Sequence, residues 1–228
     1  MVAANGIELY YESRGDGAPL VVLGGLGLAV SEMGALIEPL AASFRVIAID
    51  NRGAGRSVKP AGPYSIEQMA ADVLGVMDQL GVPCAHVLGM SMGGRVAMAL
   101  ALAQPGRVDR LVLVATGPRA AKRRWRVRAG MMVAGLPGLR GQHRQPSSAM
   151  RAQFDATTRF DCTGRLGEIR APTLIVHGKS DHIAPVTMAE QMHELIPGSR
   201  LVLIDGGHYA PLLTHHERVV AEVRTFVA

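Results

Sequence analysis

The chain has 228 residues, 48% of them hydrophobic and 19% charged, with a net charge of +5. That length fits one domain with a full core, and that balance excludes a disordered chain. No apolar run reaches the length of a membrane-spanning helix.

The first residues, MVAANGIELYYES, lack a basic segment followed by an apolar one, so no signal peptide is read and a cytoplasmic location is expected. IELYYES, Ile7 to Ser13, alternates enough for one antiparallel strand, and RGDG after it is a turn. Four compact apolar runs follow: PLVVL, RVIAID (Arg45 to Asp50), AHVLG (Ala85 to Gly89) and RLVLVAT (Arg110 to Thr116). Short, nearly continuous and mostly Val/Ile-rich, they read as strands buried on both faces of a parallel sheet. Helical segments separate them. EMGALIEPLAASF (Glu32 to Phe44) precedes the second run, and SIEQMAADVLGVMDQLG (Ser65 to Gly81) the third, with Ser65 as N-cap and Gly81 closing it. RVAMALALAQPG (Arg95 to Gly106) is nearly all apolar and predicts a helix buried against the sheet.

The pattern breaks between Gly117 and Ala171, which is richer in Arg, Gly, Pro and Gln and has no clear strand. AKRRWRVR (Ala121 to Arg128) holds much of the positive excess there. No nucleic-acid-binding motif accompanies it, so a solvated helix face is preferred to a nucleic-acid or anionic-membrane patch. The alternation resumes with PTLIVHG (Pro172 to Gly178), a helix near Val186 to Ile196, RLVLID (Arg200 to Asp205) and a final helix through TFVA. The fold class is therefore α/β: one domain with its core in residues 1–116 and 172–228, and an insertion at 117–171 after the fourth parallel strand. Cys84 and Cys162, the only cysteines, have no CxxC partner, so neither a disulfide nor a metal framework is expected.

Two turns could carry chemistry. In LVVLGGLGLAV, Gly25-Leu26-Gly27 follows a strand as a dinucleotide-binding G-x-G-x-x-G would, and Asp50 stands near the place of a ribose-binding acid. The third glycine position is Val30, which makes that match weak in a chain with 27 glycines. The second turn is Gly89-Met90-Ser91-Met92-Gly93, a G-x-S-x-G between a buried strand and an apolar helix. A nucleophile elbow needs small residues two positions either side of the serine, and Gly89 and Gly93 supply them. A serine nucleophile needs a base and an orienting acid, in the chain order Ser, acid, His. Asp181 lies just past the PTLIVHG strand and His208 just past RLVLID. Asp205 competes as the acid but is only three residues before His208. Among the other histidines, His86 starts a strand and His143 lies in the insertion. His177 reads as packing at a strand end with a satisfied ring, and His182 comes too early in the chain. His193, His215 and His216 fall on predicted helices, and no metal-ligand spacing appears.

GMSMGG, HGKSDHIAP and GGHYAPL, in that order, resemble the α/β-hydrolase superfamily, and DNRGAGRS (Asp50 to Ser57) is similar to the D-x-R-G-x-G-x-S loop of its members. EIRAPTLIVHG is similar to the segment that returns from a cap to the core sheet in many of them. The resemblance implies an α/β-hydrolase fold: a mostly parallel sheet flanked by helices, with a short helical cap at 117–171. It implies Ser91 as nucleophile, His208 as general base and Asp181 as orienting acid, with the backbone N–H groups of Leu26 and Met92 as oxyanion hole. It makes Asp50 part of a structural turn, and it leaves Gly24 where many members have a histidine. Trp125, Met131, Met132, Leu136 and Phe154 are candidates to line the pocket or to pack the cap on the core, and Gly25 and Met90 are further candidates for substrate contact.

The function expected is a cofactor-free and metal-free serine hydrolase, a monomer or small homo-oligomer, cleaving a small carboxylic ester or lactone through an acyl-enzyme. The same residues admit a thioesterase, an acyltransferase, a perhydrolase-like enzyme, a carbon–carbon bond hydrolase or a ligand-binding protein without turnover. Ser91 argues against an aspartate nucleophile, as in haloalkane dehalogenases and epoxide hydrolases.

Overall fold

The computed structural model describes residues 1–121 and 145–227. Strands β1 (Val2–Ala4) and β2 (Ile7–Leu9) form a small antiparallel hairpin. Among the described residues seven strands make the main sheet: β3 (Tyr11–Arg14), β4 (Pro19–Leu23), β5 (Arg45–Ile49), β6 (Ala85–Met90), β7 (Val108–Val114), β8 (Thr173–Gly178) and β9 (Arg200–Ile204). Their order is β3-β5-β4-β6-β7-β8-β9, with β3 antiparallel at one edge and the other six parallel.

The run read as one strand, Ile7 to Ser13, is two. The break falls at Tyr10, whose N–H donates to Ser57 Oγ (2.8 Å) and whose carbonyl accepts from Asp50 N–H (3.0 Å). These bonds draw Tyr10 out of a ladder and onto the Asp50–Ser57 turn, so the chain pairs with β1 before it and with β5 after it. β1 itself is too short to show a period in the sequence.

Helices α1 (Gly34–Ala41), α2 (Ile66–Gln79), α3 (Met92–Ala103), α4 (Ser147–Arg159), α5 (Val186–Leu195), α6 (Ala210–Leu213) and α7 (His216–Val227) pack around the sheet. Ser65 caps α2 by accepting Gln68 N–H at 3.0 Å, and Gly81 follows its end with φ +63°. α3 begins at Met92, three residues before the apolar run that announced it. His215 lies between α6 and α7 rather than on a helix.

Strand alternation divides the core into two layers. β4 sends Val21 and Leu23 to one face, where Met69, Val73 and Met77 of α2 and Val96 and Leu100 of α3 cover them. It sends Leu20 and Val22 to the other, under Leu36, Ile37 and Leu40 of α1 and Val219, Val220 and Val223 of α7. Every residue of β6 and β8 is buried, as central parallel strands require. The chain runs from β4 outward to β5, then crosses back to β6 on the opposite side of β4. The carboxyl ends of β4 and β6 thus form a topological switch point, the place where open α/β sheets hold their sites.

Candidate active site

Ser91 stands between β6 and α3 with φ 54° and ψ −115°. A non-glycine residue there carries about 1–3 kcal/mol of backbone strain. The surroundings hold it: Ser91 N–H donates to Val114 O (3.0 Å), and Ser91 O accepts from Gly94 N–H (3.1 Å) and Thr116 Oγ1–H (2.6 Å). The flanking glycines are required by close approach. A Cβ on Gly89 would lie 2.3 Å from Gly93 O, and one on Gly94 would lie 2.6 Å from the Thr116 side chain.

His208 and Asp181 reach Ser91 from two neighbouring strand ends, β9 and β8. His208 Nε2 lies 2.9 Å from Ser91 Oγ, and His208 Nδ1 lies 2.7 Å from Asp181 Oδ2. A ring protonated at Nδ1 donates to the carboxylate and leaves Nε2 to accept the serine hydroxyl. Asp181 is buried, and its Oδ1 accepts the N–H groups of Ile183 and Ala184, both at 2.8 Å. All four lone-pair directions of the carboxylate are thereby committed or faced by a donor, because His177 Nε2 also lies 3.4 Å from Oδ2. The competing acid, Asp205, is exposed and pairs with Lys179 Nζ at 2.8 Å.

His177 is only half satisfied. Its Nε2 donates to Ala184 O (2.8 Å), while its buried Nδ1 meets no partner among the described residues. Burial pushes its pKa down, against the opposing pull of Asp181. His177 is therefore held neutral beside the acid, and the sequence expectation of a satisfied ring is corrected. Tyr209 sets its ring edge-on to His208, with centroids 5.3 Å apart, and is half exposed.

The glycine loop after β4 passes directly beside the serine. A Cβ on Gly25 would lie 3.2 Å from Ser91 Cβ. Leu28 N–H closes a turn on Gly25 O (3.1 Å), and Asn51 Nδ2 donates to Gly24 O (3.1 Å). A side chain at Gly24 would press on Leu28 O (3.0 Å) and Met33 Sδ (3.1 Å), so this loop is packed for glycine where many hydrolases have a histidine. Leu26 is half-buried, and Met92 opens α3, where the first amides of a helix have no intrahelical acceptor.

Asp50 organises the neighbouring turn. Its Oδ1 accepts Val30 N–H (2.6 Å), its Oδ2 accepts Arg56 N–H (2.7 Å), and its carbonyl accepts Ser57 Oγ–H (2.6 Å). A residue so occupied and so deeply buried is a structural pivot and is not open to a ribose.

Of the other expected contacts, Met90 packs into the second core layer. Phe154 is half-buried on α4. Trp125, Met131, Met132, Leu136, His143 and the basic run from Lys122 lie outside the described residues. Cys162, read within a polar stretch, is buried against α3, and burial pushes its thiol up to about 12.

The sequence reading missed α4's part in the site. Gln153 is fully buried; its Oε1 accepts Gly27 N–H (2.9 Å) and its Nε2 donates to Arg52 O (2.7 Å). The readable signal was a glutamine at helical spacing with Ala149, Ala156 and Thr157, the buried face of α4. Arg95 was read only as the start of an apolar helix. It is 8% exposed and donates to three carbonyls, Gly117 (3.0 Å), Arg119 (2.7 Å) and Thr157 (3.1 Å).

Comparison with known proteins agrees with this architecture. The family model described as alpha/beta hydrolase fold matches residues 18–149 and 145–213. The protein named "Putative carbamate hydrolase RutD" of Azorhizobium caulinodans is 33% identical, over 89% of this chain and 88% of its own. The pimeloyl-[acyl-carrier protein] methyl ester esterase of Aliivibrio salmonicida is 25% identical over 96% of both chains. Among solved structures, a hydrolase from Pseudomonas aeruginosa superposes with a TM-score of 0.90 at 27% identity, covering 100% of this chain and 97% of its own. The enol-lactonase from Burkholderia xenovorans does so with a TM-score of 0.88 at 25% identity, covering 99% and 98%. The chain belongs to the α/β-hydrolase fold family.

Proposed function

We propose that this protein is a serine hydrolase that cleaves a small carboxylic ester or lactone through an acyl-enzyme. The observation that carries the reading is the continuous hydrogen-bonded path from Ser91 Oγ through His208 to Asp181, with steps of 2.9 and 2.7 Å.

Ser91 Oγ attacks the substrate carbonyl while His208 Nε2 takes its proton. Asp181 holds the ring by Nδ1 and stabilises the imidazolium. The amides of Leu26 and Met92 receive the oxyanion, and the positive end of α3 favours the same charge. His208 then returns the proton to the departing alcohol oxygen. Water, deprotonated by the same imidazole, releases the acid and restores Ser91.

The relatives named as a methyl ester esterase and an enol-lactonase support an ester or lactone substrate. A second reading, a carbamate, is favoured by the relative that is 33% identical and named for that activity. The chemistry is the same attack on a carbonyl: the alcohol leaves with the proton from His208, a carbamoyl group stays on the serine, and water then releases it.

A panel of p-nitrophenyl acetate, p-nitrophenyl butyrate, a γ-lactone and a p-nitrophenyl carbamate separates these readings. Turnover of the esters or the lactone, lost in Ser91→Ala, is the expected result. Turnover of the carbamate alone moves the assignment to the second reading. Full activity in Ser91→Ala overturns both.

A further inference from the structure

We infer that Gln153, assisted by Gln145, is a clamp that holds the oxyanion loop in its working conformation from the cap side of the molecule. The inference rests on the proposed function and adds a positioning residue to it.

Gly27 lies one residue after the amide assigned to the oxyanion, and it is gripped at both of its polar atoms. Its N–H donates to Gln153 Oε1 at 2.9 Å, and its carbonyl accepts from Gln145 Nε2 at 2.5 Å. Met150 closes over it: a Cβ on Gly27 would meet Met150 Cε at 2.6 Å. All three side chains come from residues 145–153, between β7 and β8, and none from the strand that carries the loop. Gly27 has φ +72°, a conformation that leaves its chain free to relax unless outside contacts hold it.

Gln153 holds the Leu26–Gly27 peptide directly by its N–H, on the carboxyl side of Leu26, and the grip of Gln145 reaches the amino side through one further bond. The Gly27–Leu28 peptide, held at its carbonyl by Gln145, supplies the Leu28 N–H that donates to Gly25 O. Gly25 O and Leu26 N–H belong to the same planar peptide. Fixing the carbonyl therefore fixes the direction of the Leu26 N–H. An oxyanion donor works by being in place before charge develops, so its orientation sets the transition-state energy more than the ground-state affinity.

The clamp has a rigid anchor. Gln153 Nε2 donates to Arg52 O at 2.7 Å, and Arg52 is locked to buried Asp72 by two bonds of 2.5 and 2.6 Å. At the far end of α4, the Arg95 guanidinium donates to Thr157 O at 3.1 Å, a last-turn carbonyl. A helix pinned at its end and cross-linked at its middle holds Gln153 in one place. Both amide atoms of Gln153 are used, and it is fully buried. An amide of that length both accepts and donates in this geometry, as an ionised carboxylate of the same length cannot.

The test uses the full chain with Gln153→Leu and Gln145→Ala. Hydrolysis of p-nitrophenyl acetate is measured beside wild type and Ser91→Ala, together with thermal unfolding and amide hydrogen exchange over residues 25–28. For Gln153→Leu the expected result is a fall in kcat of about ten- to a hundredfold, because the donor is displaced and not deleted. KM stays within about threefold, since the lost interaction belongs to the transition state. Exchange across the loop becomes faster in both variants, and Gln145→Ala lowers kcat by the smaller factor. A folded Gln153→Leu with unchanged kcat, or with unchanged loop exchange, overturns the clamp. So does a loss that appears in KM alone, which would make Gln153 a substrate-binding group. If Gln153→Leu does not fold, Gln145→Ala decides by the same readouts. A wild type no faster than Ser91→Ala overturns the proposed function itself, and the clamp's catalytic role falls with it.

Discussion

The Cα of Gly93 faces the carbonyl of Leu23 so closely that an added Cβ would stand 2.3 Å from its oxygen. The same Cβ would lie 2.6 Å from Gly24 O. The helix after the serine and the loop after β4 are thus in backbone contact. Gly93→Ala must push the two apart. It is expected to cost at least about 2 kcal/mol of stability and to lower kcat at least about tenfold. Urea unfolding and ester kinetics on the same preparation check both.

Asp181 accepts His208 Nδ1–H on one oxygen and two backbone amides on the other. Asp181→Asn keeps the shape but offers a donor where the ring needs an acceptor, so the imidazole is held in the wrong tautomer. The expected loss in kcat is about 10⁴-fold. KM for a small ester changes little, because Asp181 is buried beneath His208. A loss below about tenfold would remove Asp181 from the mechanism.

His177 gives the protein a pH-dependent stability with a definite sign. Burial lowers its folded pKa below the ordinary value of 6.5, in the presence of Asp181 and His208. The unfolded chain therefore binds a proton that the folded chain resists. The contribution is fully present above the unfolded pKa and is lost as pH falls below it, toward the lower folded value. Urea midpoints between pH 8 and pH 5 should fall with acidification, and His177→Asn should flatten part of that slope. An identical slope in the variant would assign the acid sensitivity elsewhere.

Arg95 has three carbonyl acceptors among the described residues and no carboxylate partner there. Burial pulls its pKa down to about 10, still well above neutrality, so the buried cation persists at working pH. Arg95→Met removes the donors and strands three carbonyls, all within the 117–171 insertion. The expected cost is about 2–4 kcal/mol, read by urea denaturation. Arg95→Lys keeps the charge but not the fork, and should recover only part of the loss.

The sheet was legible because its inner parallel strands, β4 to β8, are mostly buried and appear as apolar runs, while the edge strand β9 is apolar yet buried only at Ile204. The Ser91, Asp181 and His208 constellation was legible because strand ends and glycine spacing mark it locally. What escaped was long-range. Tyr10 breaks its strand for the sake of a serine 47 residues away. Gln153 bonds to a glycine 126 residues before it, and nothing adjacent to it in sequence announces that glycine. Arg95 looked like the polar edge of an apolar helix because its partners are backbone carbonyls, which leave no trace in side-chain composition. Asp50 admitted two readings in the sequence, and three hydrogen bonds to the turn that follows it and to Val30 decide for the structural one.

The most direct test of the central claim is covalent capture of the nucleophile. Wild type, Ser91→Ala and His208→Gln are incubated with a fluorophosphonate, and the adduct is located by mass spectrometry of peptides. One adduct is expected, on Ser91, formed rapidly in wild type, absent in Ser91→Ala and strongly slowed in His208→Gln. An adduct on another residue, or ester turnover that persists in Ser91→Ala without any adduct, would contradict the claim.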